Sequence, residues 1–214
     1  DVDGLIELME GRKGFVQMLD SMFVVPPIYD DSYYGVLIHE ITEMQVANMG
    51  NYAHGNQPAQ HMIDLYDYAR KPEKAQWWAR EVMDRLYSAP PHGYCGDEDN
   101  GQTSAWYVFS ALGFYPVCPA SDEYTVGSPL FRKAMIHLEN GKDIVIEAPE
   151  NGPEKRYIGK MTLNGKVLQR PFLEYTEIKE GAEILFDQPL LFFISLRVGQ
   201  IQYRIDNARN RIGG

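Results

Sequence analysis

Three carboxylates stand between two glycines in Gly96-Asp97-Glu98-Asp99-Asn100-Gly101, just ahead of a stretch with helical spacing. Acidic side chains in such a loop have three uses. They cap the free N–H groups of the first helical turn, hold a hard cation, or take a proton from water as a general base. Two more polar groups lie upstream: His39-Glu40 with Glu43, and His54-Gly55-Asn56-Gln57-Pro58 with Gln60-His61. Singly, each has an ordinary explanation. Glu40 and Glu43 fit a solvated helix face, and Asn56 fits a helix cap. His39 and His61 fit partly buried structural imidazoles, and Trp106 and Tyr107 fit core packing. Together they make an oxygen-rich set without thiolates, which suits Ca²⁺ rather than zinc. The sequence holds no serine elbow, phosphate loop, His-x-x-x-His pair or dinucleotide fingerprint.

The elements that must position these groups change character along the chain. Hydrophobic spacing predicts helices over 3–9, 15–23, 38–48, 58–69, 72–86 and 103–112, with Pro26-Pro27 and Gly113 as stops. Each pair of helices is separated by a loop, as in stacked helical hairpins. After Cys118-Pro119 the period becomes two. Asn140-Gly141 and Asn164-Gly165 each join two short β-rich runs and signal hairpins. Residues 183–186 and 190–196 add strands, and 207–214 reads as a loose polar tail. The class is α+β: a helical region over 1–118, then a small antiparallel β domain over 119–214.

Bulk properties narrow the partners. A chain of 214 residues fills one sizeable domain or two small ones. A formal charge of −10 without a Lys/Arg cluster argues against nucleic acid and anionic membranes. The 14 tyrosines suit carbohydrate stacking, although most should be core. Cys95 and Cys118 are the only cysteines and are expected to be free thiols rather than a bridge. No apolar run approaches the ~18 residues a membrane helix needs. The chain starts at Asp1 without a signal segment, so an upstream portion is expected.

The run His54-Gly55-Asn56-Gln57-Pro58 and the string GDEDNGQTSAWYVFSALGFYPVCPASDEYTVGSPLF, residues 96–131, resemble the signature of the glycoside hydrolase family 92 α-mannosidases. The likeness covers roughly residues 1–190 and fades beyond. It implies exo-acting, Ca²⁺-dependent removal of terminal α-mannose with inversion. It also implies that residues 1–118 are the later part of an (α/α)₆ barrel, the N-terminal β-sandwich lying elsewhere. By resemblance, Asp99 is the general base and Asp97 orients its water or tunes its partner. His39 and Glu40 match a leaving-sugar pair of α-1,2-selective members, while Gln57 and Glu43 fall where the family places cation ligands. Many members carry Glu at the position of Gln57. An amide there lowers the ligand charge.

The family's general-acid Glu lies in an aromatic-rich motif just before the segment that Asp1-Val2-Asp3-Gly4-Leu5-Ile6 resembles, and this sequence lacks that motif. The chain alone is therefore expected to be inactive. Its expected partners are mannose-containing glycans, including N-glycans, and either the missing N-terminal part or a second copy. One of these would cover the apolar stripes Leu5/Leu8/Met9 and Phe15/Leu19/Phe23. The resemblance implies a secreted or periplasmic setting. The rival reading is a non-catalytic glycan-binding or subunit-packing module. A polysaccharide lyase is disfavoured, because its acidic polymer would meet the same −10 charge.

Overall fold

The computed structural model describes residues 1–26, 32–33 and 35–189. Seven helices come first: α1 Val2–Leu8, α2 Arg12–Val24, α3 His39–Ala47, α4 Gln57–Gln60, α5 Leu65–Tyr68, α6 Pro72–Leu86 and α7 Gln102–Leu112. Strands follow: β1 Phe114–Tyr115, β2 Glu123–Val126, β3 Lys133–His137, β4 Asp143–Glu147, β5 Lys160–Leu163, β6 Lys166–Leu168, β7 Phe172–Glu174 and β8 Ala182–Asp187, with α8 Tyr175–Ile178 before the last. The strands expected over 190–196 and the tail over 207–214 lie outside the described residues.

The predicted helix over 58–69 is broken into α4, a 3₁₀ turn His61–Ile63, and α5. The Asp64 N–H bonds the His61 carbonyl three residues back, which tightens the chain at that point. The break also turns two carboxylates, Asp64 and Asp67, into the interior. Asn56 takes the N-cap position of α4, but its side chain makes no capping bond.

The stripe Phe15/Leu19/Phe23 was expected to lack a partner, and the structure corrects this. All three residues are buried within the chain. Phe23 stacks on Trp78 of α6 with ring centroids 3.8 Å apart and meets Tyr52 at 5.1 Å. Leu8 stays 84% exposed and Val46 82% exposed.

Both predicted hairpins are present. Ile136 pairs with Ile144 across β3–β4, and Thr162 pairs with Val167 across β5–β6. The second turn holds Asn164 and Gly165 at φ 50° and 77°, the two positive dihedrals that match its twist to the flanking strands. The larger sheet runs β3-β4-β8-β5-β6, and its β4–β8 pair is parallel, unlike the other ladders. A smaller sheet runs β1-β2-β7. Strand alternation lets β1 serve two interiors: Tyr115 faces the helical core and Phe114 the sheet core. α7 packs on α4 and α6 and leads directly into β1, which joins it to the smaller sheet.

Candidate active site

The acidic loop divides its three carboxylates between two tasks. Glu98 does the capping. It accepts from the Gly101 N–H at 2.6 Å and from the Ser104 hydroxyl, and these bonds hold its carboxyl below the usual range, the Ser104 bond most. Asp97 and Asp99 are left exposed, and neither carboxylate makes a hydrogen bond among the described residues. Asp99, Asn100 and Gly101 all have left-handed backbones, with φ of 54°, 57° and 101°. Such conformations cost non-glycine residues energy and persist where the surroundings impose them.

Those surroundings are polar and largely buried. The Asp97 carbonyl accepts from the Thr103 hydroxyl at 2.9 Å and from Gln57 Nε2 at 3.2 Å. Thr103 Oγ1 in turn accepts from Gln60 Nε2 at 3.3 Å, and Gln60 Oε1 accepts from Gln102 Nε2 at 3.3 Å. Beneath them His54 is buried between two phenols, with Tyr52 at 2.7 Å and Tyr87 at 2.8 Å. The edge of its ring meets Trp106. Burial drives its pKa down to about 3, so the imidazole is neutral. One direction of donation satisfies most of the chain: Tyr52 donates to Nδ1, Nε2–H donates to Tyr87, and Tyr87 donates to the Thr103 carbonyl at 3.2 Å. His54 is thus the structural imidazole of the two polar clusters.

The His39 cluster borders the same loop. His39 Nδ1 lies 2.9 Å from Glu43, and its Nε2 lies 3.3 Å from Glu40. The Glu43 bond, with further contributions from the charges of Glu40, Glu43 and Asp97, raises the His39 pKa. Glu43 reaches past two glycines. A Cβ on Gly55 would come within 2.1 Å of Glu43 Oε2, and one on Gly96 within 2.7 Å of the Gly55 Cα. The chain ahead of α4 and the start of the acidic loop therefore cross at backbone contact. Gly96→Ala should cost about 1–3 kcal/mol, the usual penalty of overpacking. Urea unfolding tests this, and an unchanged midpoint would show that the crossing relaxes freely.

Two oxygens here have the chemistry of cation ligands. Glu43 Oε2 is buried with no hydrogen-bond partner among the described residues. Gln57 makes its hydrogen bonds through Nε2, which leaves its carbonyl oxygen unused. A carboxylate and an amide oxygen fit Ca²⁺ in kind. Among the described residues, no three His, Cys, Asp or Glu side chains are grouped to hold a metal.

The structure thus gathers Asp97, Gln57, Glu43, His39 and Glu40 around the two crossing backbones, with Asp99 two residues further along the loop. Gln60 and Thr103, which tie the loop to α4, were not singled out by role in the sequence. Their one signal is a polar residue at an otherwise apolar helical position. Both cysteines are free thiols; burial pushes Cys95 up to about 11.

A helical region carrying an acidic loop, followed by two small β-sheets, is an arrangement this chain shares with known proteins. Residues 1–188 match the model of the glycosyl hydrolase family 92 catalytic domain. The chain belongs to that family. It is 54% identical to a family 92 inverting mannosidase of Bacteroides thetaiotaomicron, with a TM-score of 0.73, covering 88% of this chain and 26% of that one. It is 34% identical to a family 92 α-mannosidase of the same organism, also at 0.73, covering 83% of this chain and 22% of that one. An uncharacterized secreted glycosidase of Arthroderma benhamiae is 25% identical over 187 residues, which are 86% of this chain and 21% of that protein. The chain thus spans about a quarter of the length of the proteins it matches.

Proposed function

We propose that this chain is the base-bearing portion of an exo-acting, inverting α-mannosidase. What carries the reading is one juxtaposition: the Asp97 carbonyl is tied to Gln57 while the Asp97 charge acts on His39. It joins the acidic loop, the amide rim and the His39–Glu40–Glu43 group into one polar surface. Similarity to an inverting mannosidase supplies the substrate class. The helices are read as the later part of an (α/α)₆ barrel.

In this reading Asp99 takes a proton from a water as its oxygen attacks the anomeric carbon. The glycosidic bond breaks on the opposite face, and the leaving oxygen receives a proton from an acid in the rest of the protein. Inversion needs ~6.5–9.5 Å between the two carboxyl groups, room for that water. An exposed Asp99 suits the role of base, which water must be able to reach. His39, whose protonated form its carboxylate neighbours favour, and Glu40 bind the leaving sugar's hydroxyls and favour α-1,2 linkages. Glu43 and Gln57 would contribute oxygens to a Ca²⁺, which would supply a Lewis-acidic contact to the sugar's hydroxyls. The remaining three quarters of the enzyme covers Leu8 and Val46. The secreted glycosidase among the relatives favours export, with mannose-rich glycans, N-glycans among them, as substrates.

The full-length protein should hydrolyse α-1,2-mannobiose and release β-mannose first by proton NMR, and chelation should abolish turnover. This chain alone, about a quarter of the length of the proteins it matches, should be at least ~10²–10⁴-fold slower than the full-length protein, the scale of general acid catalysis. α-Mannose as first product, or no mannosidase activity in the full-length protein, would overturn the reading.

A further inference from the structure

The geometry points to Thr103 and Gln60 as positioning residues that set the acidic loop against the α4 rim. This rests on the reading of Asp97 and Asp99 as the groups that act on water. Neither residue touches that water; they act through the backbone of Asp97. Both are fully buried in a polar seam, where an unmade hydrogen bond is costly.

Thr103 is the hub. Its hydroxyl donates to the Asp97 carbonyl at 2.9 Å and accepts from Gln60 Nε2 at 3.3 Å and Gln57 Nε2 at 3.5 Å. Its backbone N–H donates to the Glu98 carbonyl at 3.2 Å, and its own carbonyl accepts from Tyr87. Gln60 spans the seam, donating to Thr103 and to the His54 carbonyl at 3.4 Å. The loop's remaining hydrogen bonds are local: Glu98 serves Gly101 and Ser104, both within the loop or the first turn of α7. Local bonds shape the loop but do not fix where it stands relative to α4. Beyond the Gly55–Gly96 crossing, the Thr103–Gln60 pair, the Gln102–Gln60 bond and the Gln57 amide supply that tie. Without it, three successive left-handed residues are free to relax.

The test uses the full-length protein with Thr103→Val, which keeps the shape and removes the hydroxyl, and Thr103→Ser, which restores it. Amide hydrogen exchange over 97–101 should quicken at least tenfold in Thr103→Val, with α6 unchanged. kcat on an α-mannoside should fall about 100-fold, the scale of a misplacement near 1 Å, while KM changes less than threefold. Thr103→Ser should recover both. Should Thr103→Val fail to fold, Gln60→Met is read in the same two assays with the same expectation. Unchanged exchange, or kcat within twofold of wild type, overturns the proposal. So does a loss of kcat that Thr103→Ser leaves unrepaired. Wild type without mannosidase activity would sink the functional reading instead, and the exchange result would still decide the positioning role.

Discussion

Asp99→Asn in the full-length protein should lower kcat about 100- to 10,000-fold while leaving folding intact. The size is that of a lost general base. The exposed side chain makes no hydrogen bond among the described residues, so an amide of the same shape disturbs no packing. Asp97→Asn should cost less, since Asp97 reaches its neighbours through its backbone carbonyl, which the substitution preserves. The pair can be separated chemically. In Asp99→Ala, azide needs no deprotonation and should restore turnover with β-mannosyl azide as product; in Asp97→Ala it should restore nothing. Melting temperature controls for unfolding. Equal kcat in Asp99→Asn and wild type would move the base elsewhere, and azide rescue of Asp97→Ala alone would exchange the two roles.

Much of this was legible because it is local. The Asn-Gly turns declare both hairpins and fix their register, since the turn and the strand period are set within about ten residues. The acidic loop was legible for the same reason, as was the helix after it. What escaped is non-local. The parallel pairing of β4 with β8 joins segments some 40 residues apart, and β1, β2 and β7 are too short to show a period. The break between α4 and α5 was masked because Met62, Leu65, Tyr66 and Ala69 keep helical spacing across it. The seam through Gln60 and Thr103 joins residues 43 apart. Gln60 stood out only as one member of a polar cluster, and which carbonyl it serves is decided by how α4 and α7 pack.

That masked break has a thermodynamic consequence. Asp64 and Asp67 are buried, and Asp64 Oδ2 and both Asp67 oxygens lack hydrogen-bond partners among the described residues. Thr125 faces Asp64 Oδ1 at 3.3 Å, but its single hydroxyl hydrogen is better placed on the Tyr115 carbonyl at 2.9 Å. The Val126 N–H near Asp67 is directed to the Pro171 carbonyl at 3.0 Å. The titratable groups that act on the pair are acidic as well: Glu73 on Asp67, with Tyr52 and Tyr115 facing Asp64. Among the described residues no cation balances them, so burial pushes Asp64 up to about 8, and burial and then the Asp64 charge push Asp67 well above its ordinary value. The folded protein therefore keeps protons that the unfolded chain gives up near pH 4. Below that pH both states hold them, and the pair favours neither. Between about 4 and 8 only the folded state does, so stability falls as pH rises, by up to about 1.4 kcal/mol per pH unit for each proton.

Urea midpoints at pH 5, 7 and 8.5 should show that decline, and Asp67→Asn should flatten it by removing one proton from the account. The variant's advantage over wild type should grow by a few kcal/mol between pH 5 and pH 8.5, because an amide needs no proton to stay neutral. His39, whose raised pKa also favours the folded state at lower pH, is common to both proteins and cancels in the difference. If the two proteins keep a constant difference across this range, Asp67 is ionised in the fold, and a compensating cation or water must reach the junction between α5 and β2. The same measurement on Asp64→Asn then places it, since a bound cation would lose affinity in both variants, whereas a water serving one carboxylate would be felt in only one.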